Sequence, residues 1–397
     1  MGKRIIIILF FFGLFYLSGK PLNLNDLIDS ALVNNPELNA AKSRYEAENQ
    51  NSPFNSLMEP MFGIEFSSDM RMYSVSQEIP FLTKLNTRNK IGVLTAKQYL
   101  NEYDTKKNEV IKRVKDAYAR LYTVQREEEI MSKIKQNLTK IDAIARKNYE
   151  LNRVSQTDVL HIELAQIKLE NELLNIKNEE LLTLAELNQI LGRAPDAELE
   201  LSTDIPSESS VVNIDSFYNL ARQHSPALKS FKTRISIAKT NLALAHQEYL
   251  PDFMLKFEQE EMDFKFSNSK VMIGLTVPLW FWSKQKNMVK RMDAEVRMAQ
   301  AEYQAMENEV MRMVKEVVLI LENQMREIQL YKNSIIPRIE ATLKSAIRAY
   351  ELNKVDIMTV LETQNMLVEN ELQYYKARAE YFKILAELKR ILGREVK

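Results

Sequence analysis

The sequence predicts a mainly α-helical protein with a small β part, written as an internal duplication of long helical hairpins. Three observations predict it. The 397 residues include only eight glycines and eleven prolines, and a chain so poor in helix breakers spends most of its length in helix. YELNRV, from Tyr149 to Val154, returns as YELNKV, from Tyr350 to Val355, 201 residues later. Short stretches at matching places in both halves alternate apolar and polar residues, the period-two signature of strands.

The duplication has further landmarks in the same order. Asn35-Pro36-Glu37-Leu38 is echoed by Ser225-Pro226-Ala227-Leu228, and Pro60-Met61-Phe62 by Pro251-Asp252-Phe253. Ile79-Pro80-Phe81 returns as Val277-Pro278-Leu279, and Ile190-Leu191-Gly192-Arg193 as Ile391-Leu392-Gly393-Arg394. The spacing rises from 190 to 201 along the chain, as a few inserted residues would make it. Shared composition of helices does not explain shared order, so a tandem repeat is expected. The organisation read from this is a signal peptide over 1–19, a first repeat over 20–192, a linker over 193–213 and a second repeat over 214–397. Lys3 and Arg4 before an apolar run from Ile5 to Leu17, then Ser18-Gly19, carry the signal-peptide reading. An uncleaved anchor is the alternative, although thirteen residues are short for a hydrocarbon core of roughly 30 Å.

Each half opens with helix. Asn25-Asp26 is expected to cap a helix from Leu27 to Val33, and Pro36 to start a second towards Glu48, with Asp215 and Pro226 in these parts in the second half. Strands follow. Phe62, Ile64 and Phe66 share a face, and after a turn at Ser68-Asp69 so do Tyr73 and Val75. Phe253, Leu255 and Phe257, then Val271, Ile273, Leu275 and Val277, repeat the device. Beyond Pro80 and Pro278 the period becomes helical: Val110, Val114, Ala117 and Leu121, against Val310, Val314, Val317 and Leu321. From Thr83 to Tyr149 that helix would reach about 100 Å at about 1.5 Å per residue, and Pro337 is expected to kink its counterpart. Leu-Asn then marks the turn, asparagine tolerating the left-handed conformation of a helix end. Returning helices are expected over Thr157–Leu191 and Thr359–Leu392, each stopped by Gly-Arg.

Strands are the only candidates for crossing a bilayer. At about eight residues each they are a little short of the ~9–11 of a tilted barrel strand. Four strands cannot close a barrel, and open edges in lipid leave backbone groups unsatisfied at several kcal/mol each. Either the strands lie outside a membrane or several chains pool them. Trp280 and Trp282, the only tryptophans, flank Phe281 where a strand ends, with Phe81 at the matching place in the first half. That is the position of an interfacial aromatic girdle, and equally of a packed helix–strand junction.

Composition excludes several classes. Charges balance at 54 against 54, which gives no basic footprint for nucleic acid. With no cysteine there is no thiol catalysis, disulfide or thiolate metal site. His161, His224 and His246 lack ligand spacing, and no phosphate loop is present. Met58, Met61, Met70 and Met72 suggest soft-metal transport, but methionine also fills apolar surfaces. No metal site, cofactor or catalytic residue is assigned.

LNDLIDSALVNNPELNAAKSRYEAE, SQEIPFLTK, the YELN turns and the ILGR ends resemble the TolC family of outer-membrane efflux proteins, over essentially the whole chain after residue 19. The resemblance implies a homotrimer that pools four strands per chain in an outer-membrane β-barrel and continues as a periplasmic α-barrel of helical hairpins. It implies a passive duct working with a periplasmic adaptor protein and an inner-membrane pump. By the same resemblance Leu151, Asn152, Arg153, Val154, Leu352, Asn353, Lys354 and Val355 would be adaptor-docking tips, with asparagine where the family usually has glycine. Asp158 and Glu362 would line the closed entrance, and rings of carboxylates favour cations. Asp158 is equally read as a helix cap and Glu362 as a solvated surface charge. Thr359 stands at the second-half position of Asp158. The rival reading is a secreted coiled-coil structural or adhesive protein with hairpins outside any membrane.

Overall fold

A computed structural model describes residues 23–50, 57–67, 70–199, 201, 203–206, 214–262 and 265–393. The signal-peptide reading and the Ser68-Asp69 turn lie outside them.

The first half runs α1 (Leu24–Asn34), α2 (Pro36–Glu48), β1 (Met61–Phe66), β2 (Met70–Ile79), α3 (Leu82–Glu150) and α4 (Gln156–Ile190). The second runs α5 (Ile214–His224), α6 (Pro226–Gln247), β3 (Asp252–Met262), β4 (Lys265–Thr276) and α7 (Lys284–Leu330). A π turn (Tyr331–Ile335), α8 (Ile336–Glu351) and α9 (Ile357–Leu392) complete it. At 69 residues, α3 is about 100 Å long at about 1.5 Å per residue. Among the described residues no helix is long and apolar enough to cross a membrane.

The helix caps correct the sequence reading in detail. Asn23, not Asn25-Asp26, caps α1: its Oδ1 accepts from the Asp26 N–H at 3.1 Å while the Asp26 carboxylate accepts from the Asn23 N–H at 3.0 Å. Such a reciprocal box satisfies two end groups at once. Asp215 lies within the first turn of α5 rather than before it. Asn35 caps α2 through the Leu38 N–H at 3.0 Å and, buried, donates its amide to the Ile190 carbonyl at 2.8 Å. The start of α2 is thereby tied to the end of α4.

The core carries the duplication. Leu27 and Ala31 of α1 recur as Phe217 and Ala221 of α5, all buried. Val110, Val114, Ala117 and Leu121 of α3 recur 200 residues on as Val310, Val314, Val317 and Leu321 of α7, again all buried. By Ala145 and Ala346 the spacing is 201, so the second half holds one extra residue between them. The π turn lies in that interval, its Ile336 N–H bonding the Tyr331 carbonyl five residues back. A wider turn absorbs an inserted residue while the buried stripe keeps its face. That π turn ends two residues before Pro337, the proline at which a kink was expected.

The four strands form one antiparallel sheet in the order β1-β2-β3-β4. They are six, ten, eleven and twelve residues long, unequal where eight each was expected. The central β2–β3 pairing joins the two halves, with Ile79 opposite Phe253 and Val75 opposite Phe257. Below that pairing Lys84 is 1% exposed. Its ammonium donates to both Asp252 carboxylate oxygens, at 2.9 and 3.0 Å, and to the Leu250 carbonyl at 3.0 Å, while the Phe81 N–H donates to Asp252 at 3.0 Å. The strand-to-helix corner of one half is thus latched to the helix-to-strand corner of the other. Of the linker, Ile205 is buried in the core, and the Tyr118 hydroxyl accepts from the Asp204 N–H at 3.0 Å.

Candidate functional site

The two hairpin turns are built alike. Asn152 and Asn353 adopt φ of 55° and 56°, the only non-glycine residues with positive φ among those described. The Arg153 N–H bonds the Asn148 carbonyl and the Lys354 N–H the Ala349 carbonyl, both at 2.8 Å. With the Asn152 and Asn353 N–H groups on the Tyr149 and Tyr350 carbonyls at 2.9 Å, these are paired Schellman closures, which need a left-handed residue. Leu151, Asn152 and Arg153 are exposed, as are Leu352, Asn353 and Lys354. Val154 and Val355 are half-buried against one shared core that includes Ile162, Tyr350 and Val360. The fold thus brings the eight residues together as two adjacent tips, six side chains outward and two valines inward.

Past each tip the same chemistry appears with its partners exchanged. The Ser155 hydroxyl donates to the Asp158 carboxylate at 2.9 Å. In the second hairpin Asp356 is the cap, accepting from the Thr359 N–H at 2.9 Å and from its hydroxyl at 2.8 Å. The Thr359 bonds hold the Asp356 carboxyl below its usual value. Asp158 is therefore not the helix cap; Ser155 holds that position and Asp158 follows in the first turn. Its charge acts on Tyr350, whose buried hydroxyl has no hydrogen-bond partner. Burial first, and Asp158 second, push that phenol up to about 12. Glu362 stands exposed on α9.

Sequence reasoning missed Tyr350. Its repeat partner Tyr149 is 44% exposed, whereas Tyr350 is 2% exposed and packs in the core shared by the two hairpins. Sequence reasoning also missed a groove of about 360 Å³ beside the tips, lined by residues that include Met131, His161, Leu164, Met358 and Leu361. Among the described residues no three His, Asp or Glu side chains gather as a metal site.

At the other end the sheet is apolar on one face. Phe62, Ile64, Phe66, Val271, Ile273 and Leu275 are all exposed. The band stops where Arg71 meets Glu261 across β2–β3 and the β3–β4 register shifts between Gln259 and Glu261. Trp280, Phe281 and Trp282 are exposed and stack edge to face, with centroids 5.7 Å (Trp280–Trp282) and 5.2 Å (Phe281–Trp282) apart. Phe81 is not part of that cluster; it stacks on Phe253 at 6.1 Å.

A family model described as outer membrane efflux protein matches residues 217–394. No match to a curated protein sequence reaches significance. Among solved structures, the outer membrane protein VceC of Vibrio cholerae is similar at a TM-score of 0.79 and 17% identity, over 94% of this chain and 97% of that one. The MtrE outer membrane channel of Neisseria gonorrhoeae, in its open state, gives 0.74 and 13% over 94% and 89%. The CmeC outer membrane channel of Campylobacter jejuni gives 0.73 and 14% over 93% and 85%.

Proposed function

We propose that this chain is a member of the TolC family of outer-membrane efflux proteins and the outer-membrane channel of a tripartite efflux or secretion system; the family model over residues 217–394 supports the reading. The observation that carries the reading is the pairing of an apolar-faced, four-stranded sheet with hairpins about 100 Å long. A sheet with two open edges is unstable in lipid unless sister chains close it. Three copies pooling their strands give a closed β-barrel in the outer membrane, and their hairpins give a helical duct through the periplasm. The family match over residues 217–394 favours this reading over a secreted coiled-coil protein.

The duct is passive, with no catalytic residue and no cofactor. Energy comes from an inner-membrane pump and reaches the channel through a periplasmic adaptor. The two tips, Leu151–Val154 and Leu352–Val355, are the adaptor contacts: identical Schellman turns present the same leucine, asparagine and basic residue twice. Trp280, Phe281 and Trp282, with Phe81, sit at the membrane–water boundary, where aromatic side chains are favoured. Asp158 and Glu362 line the entrance, and threefold rings of carboxylates there select cations. Single-channel conductance of purified protein in planar bilayers tests the reading. Discrete, weakly voltage-dependent openings support it, and a protein that never conducts refutes it.

A further inference from the structure

The seam between copies has a template inside the chain. The β2–β3 pairing joins the second strand of the first repeat to the first strand of the second repeat, with Ile79, Gln77 and Val75 opposite Phe253, Leu255 and Phe257. Strand β4 is the repeat copy of β2, 198 residues on, and β1 the copy of β3, 191 residues back. They occupy opposite edges of the sheet, so the equivalent joint is between β4 of one copy and β1 of the next. We infer that these edges pair antiparallel with Val277 opposite Phe62, Leu275 opposite Ile64 and Ile273 opposite Phe66. The inference rests on the channel reading and adds the register and chemistry of its seam.

Two observations support that register. Every pair it makes is apolar on apolar and on the same sheet face, whereas a slip by one residue would set Gly63 and Glu65 against the apolar side of β4. The side chains concerned also lack cover on one side. Phe62 and Ile273 are 75% and 78% exposed, against 40% for Phe253 and 36% for Val75, their repeat copies on the inner strands. A neighbouring strand removes that difference, since directly opposed side chains shield each other.

The latch below the seam differs in chemistry. Inside the chain Asp252 holds Lys84 and the Phe81 N–H. The repeat copy of Asp252 is Met61, which accepts no such bonds. In compensation the second repeat carries two extra residues between Pro278 and Val310, and α7 starts six residues after Pro278 where α3 starts two after Pro80. The added turn holds Trp280, Phe281 and Trp282. At the inferred register it lies over Met58 and Met61 of the next copy, both exposed, and thioether–aromatic contacts are favourable. An ionic latch within the chain becomes an apolar hook between chains, which accounts for both tryptophans falling in one repeat.

The chain has no cysteine, so paired substitutions in the full-length protein read the seam without background. Ile64→Cys with Leu275→Cys is expected to give covalent dimers and trimers on oxidation. Ile64→Cys with Ile273→Cys, or with Val277→Cys, is expected to lose them. Cross-linking through a shifted pair, or none through the first pair in a protein that still purifies as a conducting trimer, overturns the register. A monomer that forms no pore overturns the channel reading itself. Both tryptophans lie in the hook, so Met58→Ser with Met61→Ser is expected to move the emission of the intact trimer to longer wavelength. Unchanged emission in that trimer overturns the hook.

Discussion

Replacing Gly192 by alanine tests how the repeat is closed. Gly192 sits at φ 67° at the end of α4, and a Cβ built there would lie 2.6 Å from the Asn34 carbonyl oxygen. The left-handed backbone alone costs an alanine about 1–2 kcal/mol. The clash is with backbone, so the α1–α2 corner must move, and that corner is held by the buried Asn35 amide on the Ile190 carbonyl at 2.8 Å. Losing a buried hydrogen bond adds about 1–3 kcal/mol, so the expected total is about 2–5 kcal/mol. Asn152→Ala is the internal control. It has the same left-handed backbone but stands on an exposed tip, so only the backbone part of about 1–2 kcal/mol applies. Thermal unfolding followed by helical circular dichroism in detergent compares the two. Gly192→Ala is expected to lower the midpoint by clearly more than Asn152→Ala. Equal shifts would refute the argument that close approach, beyond φ, fixes that glycine; Gly393, whose added Cβ would meet Pro226 and the His224 carbonyl, should behave like Gly192.

Three further outcomes are expected. Asp158→Asn with Glu362→Gln should reduce the cation preference of the channel, read as the reversal potential in a salt gradient; an unchanged potential removes both from the entrance. Tyr350→Phe deletes a buried hydroxyl without a partner and should leave thermal stability unchanged or raise it by up to about 1 kcal/mol, whereas a marked loss would mean the hydroxyl is bonded in the assembled protein. Glu37 is held at about 2 by hydrogen bonds from Lys106 and then Arg113. Its folded pKa lies below the unfolded one, so its contribution is full above the ordinary carboxylate value and fades as pH falls towards 2. Glu37→Gln should therefore destabilise at neutral pH and flatten the acid limb between about pH 4.5 and 2; an unaltered acid limb would show the bridge to be ornamental.

Much of this architecture was legible because local chemistry and tertiary structure agree at the turns. Asn152, Asn353, Gly192 and Gly393 each take the positive φ that their position after a helical stripe implies. The buried valines of α3 and α7 follow the three- and four-residue steps of the sequence. What escaped depends on neighbours distant in sequence. Lys84 looks like one of many surface lysines until Asp252 and Leu250, more than 160 residues away, enclose its ammonium. Strand β2 continues through the polar Gln77 and Glu78 because β3 pairs with it along its whole length. Tyr149 and Tyr350 open the same Tyr-Glu-Leu-Asn stretch and differ in burial. Asp158 attracts a capping reading by residue type, yet the cap is one turn earlier, at Ser155.

Counting the chains in the detergent-extracted particle by native mass spectrometry tests the central claim most directly. Because one chain supplies four strands and two unpaired edges, the account predicts a mass of three copies. A stable single chain, with both edges open to solvent, would contradict it.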